Sequence, residues 1–332
     1  MNRLANIVNS FSQKRVVVIG DAIADQFIYG QISRVSREAP VFILRHEHTE
    51  TSPGGAGNCA TNLAALGAQV ALISVVGNDE TGRVLLAKLR EAGVACNGIL
   101  VSDSRRTTTK VRVLAGQIHS SRQQVIRIDY DDEPNLSPEL QQKLRIEISK
   151  AVAGADAVII SDYNYGVATP QIGEVVRETV TDRKIPVLVD SRFRLSSFAG
   201  FTSATPNEDE VEELLGAPHT DEAALASATE QLRGQLGYEA ILVTRGGQGM
   251  TLIEANREPL HIEAVGSRQP VDVTGAGDTV IATYTLALAS GASFADAARL
   301  ANFAGGVVVM KRGTATLSVS ELLSSMLPSA NE

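Results

Sequence analysis

The chain contains no tryptophan, and aromatic residues make up only 4% of its 332 positions. So few rings leave scarce stacking platforms for single-stranded nucleic acid. Cysteine is rarer still. Cys59 and Cys96 stand alone, which excludes a disulfide scaffold and fits no metal-ligand spacing; both read as reduced, buried thiols. Basic residues are outnumbered, 30 Lys and Arg against 38 Asp and Glu, for a net charge of −8. That balance argues against bulk nucleic-acid binding and against an anionic membrane surface, while a local basic cluster can still serve an anionic small molecule. The N-terminus lacks the apolar core of a signal peptide. The longest notable uncharged run, 279–295, approaches membrane-spanning length. Thr, Ser and Gly interrupt it, and Asp278 and Asp296 bracket it, so a buried core helix is expected. A cytoplasmic protein follows, with no nucleic-acid or membrane partner.

What is present is the composition of an ordinary globular protein, 44% hydrophobic and 20% charged. At this length a single α/β unit buries its own core without staples. Short Val/Ile/Leu runs at 15–20, 70–77, 156–161, 186–190 and 240–244 read as strands buried on both faces. Helical patterns lie between them, including 81–92, 138–152 and 170–182. Ser137-Pro138 and Thr169-Pro170 supply cap-then-first-turn signals. This alternation predicts a mostly parallel sheet with helices on both faces. Two stretches break the rhythm, 27–50 and 107–129. They read as a small antiparallel sheet, a lid over a strand-end cleft. No repeat or linker marks a second domain, so residues 1–332 are expected to form one. The exposed edges of such a lid favour a homodimer joined through it.

Glycines cluster at two sites. The first is Pro53-Gly54-Gly55-Ala56-Gly57-Asn58-Cys59-Ala60, where the backbone can approach a ligand closely and lead into a helix. Gly55-x-Gly57-x-x-Ala60 also fits a loose dinucleotide fingerprint, but residues 46–52 before it are polar rather than a buried strand. The plain alternative is a helix-starting turn. The second is Asp272-Val273-Thr274-Gly275-Ala276-Gly277-Asp278-Thr279. Free N–H groups from Gly275 to Asp278 at the positive end of a long helix suit an oxyanion or a transferring phosphoryl group. A carboxylate in such a turn makes sense as a base acting on a neutral hydroxyl; its plain alternative is a helix cap. No Gly-x-x-x-x-Gly-Lys-Ser/Thr sequence occurs, which excludes a P-loop kinase.

The two motifs, in this order and about 220 residues apart, resemble the paired signatures of the ribokinase-like (PfkB-type) carbohydrate kinases. The resemblance covers nearly the whole chain. It extends to Val17-Val18-Ile19-Gly20-Asp21, to Thr205-Pro206-Asn207-Glu208-Asp209-Glu210 and to Thr244-Arg245-Gly246-Gly247-Gln248-Gly249. It implies a three-layer ribokinase-like fold with a β lid. Within the family, Ser33–Val41, Lys110-Val111-Arg112, residues 123–129, Ser161-Asp162-Tyr163 and Ala301-Asn302 are similar to the bacterial D-glycero-β-D-manno-heptose-7-phosphate kinases. Those enzymes phosphorylate the anomeric hydroxyl to give the 1,7-bisphosphate, on the way to ADP-heptose for lipopolysaccharide core. Some relatives carry a fused nucleotidyltransferase; with the chain ending near Leu327, a separate enzyme is expected to add the nucleotide. Two positions depart from the pattern: Tyr165 stands where a Lys is expected, and Ser191-Arg192 replaces Pro-Lys.

The resemblance implies ATP and Mg²⁺ and assigns roles. Asp278 would be the base, and the Gly275, Ala276, Gly277 and Asp278 amides would hold the phosphoryl oxygens. Asp21, Asp25, Gly54, Gly55, Asn58 and Asp190 would bind the sugar. Lys110, Arg112, Arg127 and Arg192, with Arg34 and Arg37 next, would take its phosphate. Alternation in a strand places Lys110 and Arg112 on one face, either the inside or the outside of the lid. Asn207 and Glu210 would hold Mg²⁺ through water, and Thr244, Gly246, Gly249 and Asn302 the nucleotide. K⁺ would sit near Asp272, Thr274 and Gly313. The histidines, His46, His48 and His119 among them, show no ligand spacing. Three other readings stay open: a kinase for ribose, fructose or a fructose phosphate, a dinucleotide oxidoreductase, and a non-catalytic sugar-phosphate sensor.

Overall fold

The structure is a computed structural model that describes residues 2–116, 122–132, 135–216, 221–266 and 269–327. His119 lies outside the described residues. In chain order the strands are β1 (Arg15–Gly20), β2 (Ala22–Val35), β3 (Phe42–Gly55), β4 (Gln69–Gly77), β5 (Ile99–Ser102), β6 (Thr109–Gly116) and β7 (Gln123–Tyr130). They continue with β8 (Ala157–Asp162), β9 (Val187–Ser191), β10 (Ser203–Ala204), β11 (Ala240–Thr244), β12 (Met250–Glu254) and β13 (Leu260–Ile262). Nine of them form one sheet in the order β13-β12-β11-β10-β9-β8-β1-β4-β5. Pairing is parallel throughout except for β12 and β13, which form an antiparallel edge.

The apolar runs are strands because both of their faces are covered. Val16 and Val18 point into one core, shared with the helices Ala56–Ala65, Ala276–Ala289 and Phe294–Val308. Val17 and Ile19 point into the other, against Pro138–Val152 and Pro170–Val180. All four are 0–3% exposed, and burying each such side chain contributes about 1.5–3 kcal/mol. Ser137 and Thr169 cap their helices as expected, accepting from the amides of Leu140 and Ile172. The uncharged run 279–295 is not one helix. Ala276–Ala289 ends at Ser290, and the chain turns before Phe294–Val308. Residues Asp278 to Ala287 are buried in the protein core, and no helix among the described residues is long and apolar enough to cross a membrane.

The remaining strands form a second sheet in the order β3-β2-β6-β7. The expectation of an antiparallel lid is corrected here. β2–β3 and β6–β7 are antiparallel hairpin pairs, but β2 and β6 run parallel. The reason is topological: β4, β5 and the helix Glu80–Glu91 intervene between the two hairpins and return the chain in the same direction. The lid also begins earlier than expected, at Ala22, directly after β1. Its strand β3 ends in Gly54 and Gly55, so the first glycine motif is the hinge between lid and core. That removes the structural basis of the oxidoreductase reading: a partly exposed antiparallel strand precedes Gly55, in place of a buried parallel one.

Candidate active site

The parallel strands β1, β8, β9 and β11 all end on one side of the sheet, where open α/β folds bind ligands. The helix Ala276–Ala289 starts there. Gly275 caps it with φ 76°, in the left-handed region. A Cβ at Gly275 would stand 2.3 Å from Nδ2 of Asn58, so the close approach of the two glycine motifs requires glycine. The Thr279 amide closes the first helical bond on the Gly275 carbonyl. The expectation of four free donors needs correction, because the Ala276 amide turns back to the Val273 carbonyl at 3.2 Å. Gly277 and Asp278 remain in the first turn, where amides lack an intrahelical acceptor and the helix end favours an anion.

Asp278 is 4% exposed. Asn58 Nδ2 donates to its Oδ2 at 2.7 Å, and the Tyr163 hydroxyl donates to its Oδ1 at 3.0 Å. Burial raises its pKa to about 7; the Asn58 and Tyr163 hydrogen bonds pull the other way, Asp25 adds to the rise and Lys110 opposes it. A buried carboxyl poised near neutrality is what a general base needs. Asn58 therefore sits on Asp278 itself. Tyr163 is the functional contact that residue-by-residue reading missed: its motif was visible after β8, its phenol's aim was not.

The lid brings its cations to the same place. Lys110 and Arg112 lie on the inner face of β6. The Lys110 ammonium stands over the rings of Tyr163 and Tyr165, 5.4 and 5.7 Å from their centroids, so Tyr165, at the position where a lysine was expected, takes a cation on its ring. Burial lowers the pKa of Lys110, and Asp25 opposes that shift. Arg112 pairs with Asp25, and Arg127 lies across the strand from Arg112, bonded to Asp129 at 2.6 Å. Gly54 is where the Asp25 carboxylate comes closest, since a Cβ there would meet Asp25 Oδ2 at 2.2 Å. Arg192 acts on Lys110 through its charge and lines a cavity of about 230 Å³ with Tyr163, Asp190, Asn207, Glu210, Thr244 and Gly277. Arg34 and Arg37 lie on exposed lid, and His46 and His48 on exposed β3.

Asp21 differs from expectation. It is 2% exposed, and its two oxygens accept the backbone amides of Tyr163, Tyr165 and Val167. Three of its roughly four lone-pair sites are thus occupied by the loop after β8. It holds the loop that carries Tyr163, while Asp25, four residues on, faces the lid cations. Asp162 supports the same loop, accepting from Asn164, Ser191 and Arg194.

On the other side of the turn, a largely apolar cavity of about 260 Å³ is lined by Thr244, Gly246, Gly249, Val265, Val280, Asn302 and Gly306. Thr244 and Gly277 line both cavities, so the two adjoin at the anion turn. Asn302 donates to the Glu263 carbonyl at 2.7 Å, bracing the wall. Asn207 and Glu210 form a reciprocal capping box at the helix Glu208–Leu215. Burial raises the pKa of Glu210. Burial also pushes Asp190 well up, reinforced by Asp278, Glu210 and Asp162. Asp190, Asn207 and Glu210 line one cavity, but among the described residues no three His, Cys, Asp or Glu side chains gather as a metal cluster. Asp272 accepts the amides of Thr274 and Gly313, both at 2.9 Å, which gathers those three residues.

A buried carboxyl beside helix-end amides, with an apolar cavity on one side and lid cations on the other, suits a kinase-type phosphoryl-transfer site. The pfkB family carbohydrate kinase model matches residues 13–321. The chain belongs to this family of ATP-dependent carbohydrate kinases. It is 42% identical over 325 residues to the "Bifunctional protein HldE" of Nitrosococcus oceani, and 40% identical over 316 residues to that of Trichlorobacter lovleyi. These alignments cover 96% and 95% of this chain but 65% and 63% of the relatives, so the chain spans somewhat less than two thirds of their length. The fold is that of Arabidopsis thaliana ribokinase complexed with ribose and ATP (TM-score 0.73, 20% identity, 94% of this chain and 98% of that one). Escherichia coli phosphofructokinase-2 shares it as well (TM-score 0.76, 19% identity, 94% and 97%).

Proposed function

We propose that this protein transfers the γ-phosphoryl group of ATP to O1 of D-glycero-β-D-manno-heptose 7-phosphate, giving the 1,7-bisphosphate used for ADP-heptose and lipopolysaccharide inner core. The observation that carries this reading is the buried Lys110, with Arg112 and Arg127 on the same inner lid face, beside Asp278. An acceptor sugar with its own phosphate needs such cations, and an unphosphorylated sugar does not. The matched relatives, at about 40% identity over nearly the whole chain, support it.

In this mechanism Asp278 takes the proton of the O1 hydroxyl as O1 attacks phosphorus. The Gly277 and Asp278 amides stabilise the equatorial oxygens; Gly275 and Ala276 shape the turn. Asp25, Gly54, Gly55, Asn58 and Asp190 frame the sugar, and Lys110, Arg112 and Arg127 its phosphate. Adenosine occupies the apolar cavity by Thr244, Gly246, Gly249 and Asn302. Asn207 and Glu210 would hold Mg²⁺, whose charge would neutralise the ATP phosphates. K⁺ would be held near Asp272, Thr274 and Gly313.

The acting unit is a single domain working as a homodimer through the lid. Phe42, Ile126, Ile128 and Tyr130 are 55%, 52%, 40% and 45% exposed there, an apolar outer surface that a second copy would cover.

The test is ADP release with ATP, Mg²⁺ and, in turn, heptose 7-phosphate, ribose, fructose and fructose 6-phosphate. Heptose 7-phosphate should give the highest kcat/KM, with a new anomeric phosphate signal by ³¹P NMR. Efficient turnover of an unphosphorylated sugar alone would remove the assignment.

A further inference from the structure

The carboxylate of Asp278 is held from two directions. Tyr163 donates to Oδ1, and Asn58 donates to Oδ2. The Asn58 amide is itself oriented. Its Oδ1 accepts from Nδ2 of Asn62 at 3.1 Å, and Asn62 Oδ1 accepts from the Thr279 hydroxyl at 3.0 Å. Asn58, Asn62 and Thr279 are 1%, 0% and 0% exposed, so no water competes. The direction of the chain follows from donors and acceptors. An ionised carboxylate only accepts, so it draws the Asn58 NH₂; Asn58 Oδ1 then faces the Asn62 NH₂, and Asn62 Oδ1 faces the Thr279 hydroxyl, which also lies 3.3 Å from the Gly275 carbonyl. The chain starts on Thr279 and ends on the preceding residue, tying the helices Ala56–Ala65 and Ala276–Ala289 together at the base.

Tyr163 is held with equal definition. The loop carrying it is pinned by Asp21 through three amides, and the Lys110 ammonium stands over its ring. We propose that Tyr163 and the Asn62–Thr279 pair are positioning residues for Asp278: they fix its rotamer and keep it ionised for the acceptor hydroxyl. This deepens the kinase reading above and rests on it for the identity of the base. Ionisation is the point at issue because burial works against it and these donors work for it. The other charged or titratable groups facing Asp278 are Asp25 from β2, Lys110 from β6, Asp190 from β9 and Cys59 from the helix Ala56–Ala65. Asp25 opposes ionisation and Lys110 favours it; Asp190 and Cys59 are themselves pushed up by burial and by the Asp278 charge.

The test has two arms. In ligand-free protein labelled with ¹³C at aspartate carboxyls, the Asp278 signal is assigned by its loss in Asp278→Asn and titrated. Tyr163→Phe keeps the ring and removes the donor, and should move the midpoint up by about 0.5–1 unit. Thr279→Val, similar in shape, should move it the same way by less. In the second arm the acid limb of kcat with heptose 7-phosphate should shift equally, with KM for ATP unchanged. An unmoved midpoint in both variants overturns the proposal, as does a uniform, pH-independent loss of rate. Should the midpoint move while heptose 7-phosphate is never turned over, the substrate reading alone fails. Should that sugar be turned over with neither the midpoint nor the limb moving, the positioning role alone fails.

Discussion

Asp278→Asn should both slow turnover sharply and stabilise the fold. In the folded protein the carboxyl has a pKa of about 7 against an ordinary 3.8. Below pH 3.8 both folded and unfolded chains carry the proton. Between 3.8 and 7 the unfolded chain ionises first, so rising pH favours unfolding, and above 7 the full penalty applies. Its size is about 4 kcal/mol, from 1.36 kcal/mol per pH unit. Asparagine keeps both partners: its Oδ1 can accept from Asn58 while its NH₂ donates to the Tyr163 oxygen. The pKa of about 7 already includes the hydrogen bonds from Asn58 and Tyr163. The gain is therefore about 4 kcal/mol at pH 8 and about 1.6 kcal/mol at pH 5. That corresponds to roughly 6 °C in Tm at pH 8. kcat should fall by about 10²–10⁴, because the proton acceptor is gone. Calorimetric scans of both proteins at pH 5 and pH 8, with steady-state rates, check this. A gain of equal size at both pH values, or a loss at pH 8, would refute the burial argument. Wild-type turnover would refute the base.

Three further outcomes follow from the same geometry. Lys110→Ala should raise KM for the sugar phosphate about tenfold or more and leave KM for ATP unchanged, measured by varying each substrate; equal changes in both would place Lys110 outside the acceptor site. Gly306→Ala should raise KM for ATP several-fold with little effect on the sugar, because the added methyl would stand 2.3 Å from the Val265 carbonyl in the wall of the apolar cavity. Asp21→Ala should destabilise the fold by about 3 kcal/mol or more in urea titrations, since it leaves three amides of the loop after β8 without their acceptor; a change under about 1 kcal/mol would show that water replaces the carboxylate.

Much of the architecture is legible in the sequence because it depends on local pattern. Val16 to Ile19 can only be a strand covered on both faces, and Ser137-Pro138 and Thr169-Pro170 start helices by capping alone. The two glycine motifs are legible because close backbone approach tolerates few residues; Gly275 faces the Asn58 amide and Gly54 the Asp25 carboxylate, each with no space for a Cβ. The site's partners were less legible because they lie far apart in the chain. Tyr163 and Asp278 are separated by 115 positions, and no periodicity links them. Asp21 and Asp25 look alike as letters. Only the path of the loop after β8 gives the first to backbone amides and the second to Arg112.

The sequence by itself determined the strands, the caps, the glycine turn and the carboxylate that stands in it, because each depends on residues close together along the chain. The tertiary structure alone decided which face of β6 looks inward, that β2 and β6 run parallel, that Arg192 belongs with Asn207 and Glu210, and that Asp278 lies buried between an amide and a phenol. Those are matters of burial and long-range pairing, and it is burial that sets the proton affinity of the base.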